Sequence, residues 1–467
     1  MRRFVVLSVM FILFIFPSSA AADIAPPAQP PGSNLQPGNE TTQVQMLAET
    51  VLIDVQAGAP SKSLGQAHVT ASFTMHNQGD QAETMAVRFP VSASDGYFSY
   101  PTIKDLRVKV DNETVLTRDI QGEDPYHSPN PVPWAEFDVN FPPGQDVQIQ
   151  VAYTLEASGE YPFIWFKYIL STGAAWKDTI GKADLIVRLP YPASNQNFLY
   201  DPGSSYSSTT PGGVISGNEI RWHYDDLEPT TDNNFEVLLV MPSAWKTVLT
   251  EQANVKQNPN DGEAWGRLGK IYKEVTFSSR GKGFRLGSMD LGGQDLYQLS
   301  QQAYEKAVSL KPGDPLWHAG FAELLAYHAY FLNMDGVDTT DEALRALREI
   351  RQALELAPND PKVQEIAAEI SYDFPEGMKP NGDSFDFPWL TSTPLPPTPI
   401  VENIISTETP LPEITFTPSP VAASPTPVGE SQAEPKQTLP FCGGALLLPI
   451  GVLFLIQRRI YAARNTR

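Results

Sequence analysis

Residues 265–272 read Trp265-Gly266-Arg267-Leu268-Gly269-Lys270-Ile271-Tyr272. Steps of three and four separate Trp265, Leu268, Gly269 and Tyr272, so all four lie on one face of a helix, and Asp261 stands where its carboxylate caps the first turn. The same period continues downstream. Asp295 with Gln298 is expected to open a partner helix in which Ser300, Tyr304 and Ala307 share a face, and Pro312 closes it. Asp314-Pro315 starts the next helix, with Trp317, Phe321, Ala322 and Leu325 on its inner side. Thr339 and Glu342 have the spacing of a capping box for a helix carrying Ala346, Ile350 and Ala353, which ends at Pro358. A last helix begins at Asp360-Pro361 and runs through Ile370.

The order W-x2-L-G-x2-Y, followed by the small, large, small series Ser300, Tyr304, Ala307, resembles the tetratricopeptide repeat over about residues 243–372. The resemblance implies a stack of helical hairpins that binds partners and performs no chemistry. Pro259, Pro312 and Pro358 stand 53 and 46 residues apart, against a family period of about 34, so insertions are expected at 277–294 and about 333–338. Two repeats fall short of the three or more that such stacks need, and the module is expected to dock through Trp245 on the region before it. Groove positions carried over from the family are Glu263, Lys270, Lys273 and Glu274 on one leading helix, and Glu323 and Tyr327 on the next. A protein or peptide partner is expected there, with a plain solvated helix face as the alternative.

Upstream, over 46–242, the period is two. Val69, Ala71, Phe73 and Met75 alternate with polar residues, and Phe137, Val139 and Phe141 lead through Pro142-Pro143-Gly144-Gln145 into Val147, Ile149, Val151, Tyr153 and Leu155. Pro143 and Gly144 occupy the central positions of a type II turn. Short strands at 106–110, 115–120, 185–189, 220–224 and 235–240 complete a region that resembles the immunoglobulin-like β-sandwich domains of bacterial envelope proteins. A seam near 157–161 would divide one sandwich from two. Among the aromatic residues that follow, Trp165, Tyr168 and Trp176 are candidates for stacking on sugar rings, core packing being the ordinary use of such side chains.

The ends read as addressing signals. Arg2 and Arg3, an apolar run to Phe16 and the small residues to Ala22 have the order of a secretory signal peptide. Residues 23–45 form a Pro-rich leader, 373–440 a linker rich in Pro, Thr and Ser, 441–457 a transmembrane helix and 458–467 a basic cytoplasmic tail. Leu439-Pro440-Phe441-Cys442-Gly443 resembles the start of a bacterial surface-sorting tail but departs from L-P-x-T-G. The expected fold class is therefore multidomain: an antiparallel β-sandwich, an all-α stack of repeats, a disordered stalk and one membrane span.

Charge and residue usage exclude several functions. The formal charge is −21, and without the six arginines of the terminal segments 27 basic residues face 54 acidic ones, which repels nucleic acid. Cys442 is the single cysteine, so neither an intrachain disulfide nor a cysteine-based zinc site can form. The six histidines show no metal-ligand spacing, and no nucleophile elbow occurs. Neither a cofactor nor catalysis is expected. The function expected is protein-protein binding or scaffolding at a cell surface, with carbohydrate or cell-wall binding by the sandwich as the alternative.

Overall fold

A computed structural model describes residues 36–37, 42–57, 64–92, 103–122, 124, 130–200, 209–277, 285–286 and 290–391. Every described residue belongs to one compact unit.

Alternation of apolar and polar residues produces the strands. The largest sheet has eight, in the order β13 (Val214–Ser216), β14 (Glu219–Leu227), β12 (Ile180–Arg188), β2 (Val44–Val55), β3 (Gln66–Asn77), β9 (Asp146–Glu156), β5 (Lys104–Val110) and β6 (Glu113–Val115). Its inner face follows from register: Phe73 stands opposite Ile149 and Ala71 opposite Val151, all four buried. A four-stranded sheet, β1 (Gln36–Pro37), β4 (Glu83–Pro90), β8 (Val132–Phe141) and β7 (Arg118–Gly122), and a three-stranded one, β10 (Ser158–Glu160), β11 (Phe163–Tyr168) and β15 (Phe235–Val240), complete the strand-rich part. Between β8 and β9 the turn closes at Gly144, whose φ of 64° is one that a glycine adopts without steric cost.

Six helices follow: α1 (Pro242–Gln257), α2 (Gly262–Glu274), α3 (Leu291–Leu310), α4 (Pro315–Met334), α5 (Thr340–Leu356) and α6 (Pro361–Asp373). Within the expected linker, β16 (Lys379–Asn381), β17 (Ser384–Asp386) and the single turn α7 (Pro388–Thr391) pack Trp389 against Phe374, ring centres 6.3 Å apart. Side chains of Asp261, Asp314 and Asp360 each accept two backbone N–H groups at the start of α2, α4 and α6. Two other helix starts differ from expectation. Helix α3 begins at Leu291 with Asp290 as its cap, a turn ahead of Asp295. Thr339 gives its hydroxyl to the Ala329 carbonyl at 3.0 Å instead of capping α5.

This architecture corrects the expected fold class. The chain is a mixed α/β unit, not an antiparallel sandwich followed by a separate helical domain. Strand β12 runs parallel to β2, with Lys182 beside Ala48 and Arg188 beside Asp54. Periodicity reports which face of a strand is buried and is blind to strand direction, so the parallel pair left no mark in the pattern. Nor does the apolar core end with the strands. One buried cluster runs from Val44 and Phe73 through Trp245, Val248, Leu268 and Tyr272 to Leu296 and Ala303, so the first helical hairpin shares its interior with the sheets. A second cluster fills the space among α4, α5 and α6 around Phe321, Leu325, Ile350 and Ile366. Among the described residues no helix is long and apolar enough to cross a membrane. The expected span at 441–457 lies outside them, as do the signal segment and most of the linker.

Candidate functional site

The glycines of the 265–272 stretch set the geometry of the helical part. A Cβ on Gly269 would lie 2.9 Å from the Tyr304 ring, and one on Gly266 would lie 2.3 Å from the indole of Trp317, so both aromatic rings rest directly on the backbone of α2. Ser300 adds a hydrogen bond to the Gly269 carbonyl at 2.8 Å. Close approach of α3 and α4 to α2 brings the leading helices α2, α4 and α6 side by side.

On that shared face the chain places a polar stripe. The ammonium of Lys273 pairs with Glu323, both side chains mostly buried, and lies 5.8 Å from the centre of the Tyr304 ring. Burial opposes the charge on Lys273, yet the nearby Glu323 and Tyr304 more than offset it and hold the ammonium above the usual lysine range. Burial likewise works against the Glu323 carboxylate, and Lys273 outweighs it, keeping that group below its ordinary value. The hydroxyl of Tyr327 donates to Glu369 of α6 and approaches Glu323 at 3.3 Å. Its titration is pushed up by burial first and by the two carboxylates next.

Three of the six expected groove residues, Lys273, Glu323 and Tyr327, thus meet directly. Lys270 and Glu274 sit one turn apart on α2, 3.8 Å between charged atoms, and Glu274 also accepts from the Tyr161 hydroxyl at 3.0 Å, a link to the strand-rich part. Glu263 lies at the other end of α2, where Lys311 at 2.5 Å and the Trp317 indole N–H at 3.1 Å hold it. Glu369 was missed by the sequence reading. It is the ninth residue of α6, as Glu323 is of α4 and Lys270 of α2, so the same count would have found it.

A second polar group lies at the turn between α4 and α5. A depression of about 460 Å³ is lined by Leu332, Val337, Asp338, Thr339, Thr340, Asp341 and Glu342. Hydrogen bonds from the Thr340 hydroxyl and N–H hold Asp338 below the usual carboxylate range. Glu342 accepts from the Tyr297 hydroxyl and, at 2.9 Å, from His328, whose ring stacks on Tyr297 with centres 3.7 Å apart. Spacing alone, which shows only that the histidines lack a metal-ligand pattern, does not reveal that His328 has a partner on another helix. Among the described residues no group of three or more His, Cys, Asp or Glu is disposed to hold a metal ion.

The three aromatic candidates for sugar stacking occupy a different setting. Tyr168 and Trp176 are core residues, 1 % and 4 % exposed, and Trp176 meets Phe141 edge to face at 6.0 Å. Trp165 is partly buried against the same core, and its indole N–H has no hydrogen-bond partner among the described residues.

No family model matches the chain, and no curated protein matches it. Among solved structures, a Legionella pneumophila protein named as a candidate nutrient binding protein overlaps with a TM-score of 0.40 at 19 % identity, covering 58 % of this chain and 98 % of that one. An M1 zinc metallopeptidase of Deinococcus radiodurans overlaps with a TM-score of 0.23 at 8 % identity, and the chain spans 42 % of its length. Overlaps this shallow bear on neither activity nor ligand, and the site is read from its own residues.

Proposed function

We propose that the chain is a binding or scaffolding protein that works outside the cytoplasm and engages a protein or peptide partner along the α2–α4–α6 face. One observation carries this reading: Lys273, Glu323, Tyr327 and Glu369, drawn from three successive leading helices, form a continuous stripe whose members hold one another in place. Side chains fixed before a partner arrives lose little freedom on binding, and a fixed pattern of charges steers and orients that partner. With 54 acidic against 33 basic residues, the chain repels phosphate backbones, which favours a polypeptide as the partner. The setting outside the cytoplasm rests on the order of charged, apolar and small residues over 1–22. Two of the three candidate stacking rings are buried, so no observation favours the glycan-binding alternative.

Photo-crosslinking in the organism's own envelope tests this. A photoreactive side chain at Lys270, whose own side chain is 61 % exposed, is expected to capture a defined polypeptide. The same group at the exposed Lys109 of β5 is expected to capture none. Equal capture at both positions, or none at Lys270, would overturn the assignment of the face.

A further inference from the structure

Strand β2 carries a carboxyl group where an aliphatic residue belongs. Val51, Ile53 and Val55 face the core at every second position, and Glu49 continues that series inward, 1 % exposed. A bulge between Met46 and Ala48 shifts the phase, so that Val44 and Met46 also turn inward on the far side of it. In the sheet Glu49 is flanked by Phe73 of β3 and Ala183 of β12, neither of which ionises. Two phenols act on it from other strands. The Tyr168 hydroxyl of β11 donates to Glu49 at 2.8 Å, and this bond runs from the eight-stranded sheet to the three-stranded one. Tyr153 of β9 is close enough to feel the charge of Glu49, and its own hydroxyl is buried with no hydrogen-bond partner among the described residues.

We propose that Glu49 is a proton-dependent latch on the seam between these two sheets, which stays dry and closed while its carboxyl is neutral and opens to water when it ionises. A neutral carboxyl needs little solvation and is compatible with an interior of Val, Ile and Phe, whereas a carboxylate there lacks the water that would solvate it. Burial raises the Glu49 carboxyl from its ordinary 4.5 to about 8, the Tyr168 hydrogen bond acting in the opposite direction. Both phenols are pushed upward, by burial first and then by the neighbouring carboxyl, so neither competes for the proton near neutrality. Strand β11 pairs along its whole length with β15, and β15 leads directly into α1, so water entering the seam beside Tyr168 loosens the strand pair on which the helices begin.

The pH dependence follows from proton uptake. Between the unfolded value near 4.5 and the folded value of about 8, the native state holds a proton that the unfolded chain has lost. Stability contributed by neutral Glu49 is therefore complete below the lower value and drains away as pH rises to the upper one, roughly tenfold in the unfolding constant per pH unit. Chemical denaturation of the full chain and of Glu49→Gln from about pH 5 to about pH 9 is the test. Relative to the variant, the wild-type unfolding constant should climb by that factor per unit up to roughly pH 8 and then level off. Parallel pH profiles for the two proteins would overturn the latch. Should Glu49→Gln not fold, infrared difference spectra of the wild type decide. A protonated carboxyl band persisting at about pH 6.5 and disappearing around pH 8 supports it, and carboxyls that titrate wholly below about pH 6 overturn it.

Discussion

The strand-rich and helical parts handle buried polar groups in opposite ways. Glu49 in the seam between sheets accepts from the Tyr168 hydroxyl, and burial raises its carboxyl to about 8, so that it holds its proton at neutral pH. In the helical part, polar groups below the surface are paired as ions: Lys273 with Glu323, His318 with Glu349, and Arg285 with Asp290. Lys167 with Glu236, the most buried ion pair among the described strand residues, stands at the alternate positions of β11 and β15, on the face away from Tyr168. The difference teaches where each part is vulnerable. Sheets lose stability when a proton leaves, and helices lose it when one member of a pair is removed.

The sharpest way to break that comparison is at Arg285, where the two parts meet. Its guanidinium is fully buried, bidentate to Asp290, and donates to the carbonyls of Gln196 at 2.5 Å and Asn195 at 2.6 Å in the segment between β12 and β13. Removing one partner of such a pair leaves a buried carboxylate and two carbonyls unsatisfied. Arg285→Met is therefore expected to lose about 3–5 kcal/mol in chemical denaturation. Adding Asp290→Asn to that variant should recover part of the loss, and a double variant no better than the single one would show that packing, not charge, dominates at this junction. A smaller effect is expected at Gly266, where a methyl group would press on the Trp317 indole 2.3 Å away. Gly266→Ala should destabilise by about 1–3 kcal/mol, since the ring is wedged against α2 and the helix gains only a little propensity in return. A neutral or stabilising outcome would mean that Trp317 can move without loss, and that the stacking of α4 on α2 is looser than the contact implies.

How much of this could be read beforehand depended on whether the signal is local. Faces were legible: Leu268 and Tyr272 are each 4 % exposed, as their helical spacing requires, and Gly144 has the positive φ that its turn position demands. Groove positions could be counted along each leading helix, and the same count would have reached Glu369. Glu49 also had a local signature, an acid in phase with Val51, Ile53 and Val55, obscured because the bulge at Met46–Ala48 breaks the alternation beside it. Partnerships between distant segments left no trace. Nothing near Lys182 indicates that β12 runs parallel to β2, and nothing in the glycine-rich 277–294 insertion announces that Arg285 reaches Asn195, 90 positions away. Separation into two domains failed for the same reason: Trp245 and Leu268 were correctly placed on buried faces, but a buried face does not say which core it joins.

The smallest effect sharpens the comparison by testing the sign of its pH dependence in the helices. His318 of α4 is 8 % exposed, with Nδ1 2.6 Å from Glu349 and Nε2 3.1 Å from the Pro312 carbonyl. Burial works against the imidazolium, but the hydrogen bond and charge of Glu349 outweigh it, with further help from the Pro312 carbonyl and Asp314, and the histidine titrates above its ordinary value. A group raised in the folded state contributes stability that is complete below the unfolded value near 6.5 and is lost as pH climbs through the folded one. Wild type minus His318→Gln should therefore shrink as pH rises above the unfolded value near 6.5, by less than about 1 kcal/mol because the pair is partly screened by solvent. Both Glu49 and His318 make the chain weaker as pH rises, so the total alone cannot separate them. The double variant Glu49→Gln/His318→Gln can. If seam and stack titrate independently, its pH profile is the sum of the two single changes, because the residues share no partner. A profile flatter than that sum would mean that loosening at Tyr168 already reaches α4 through the common core, and that the two parts respond to protons as one body.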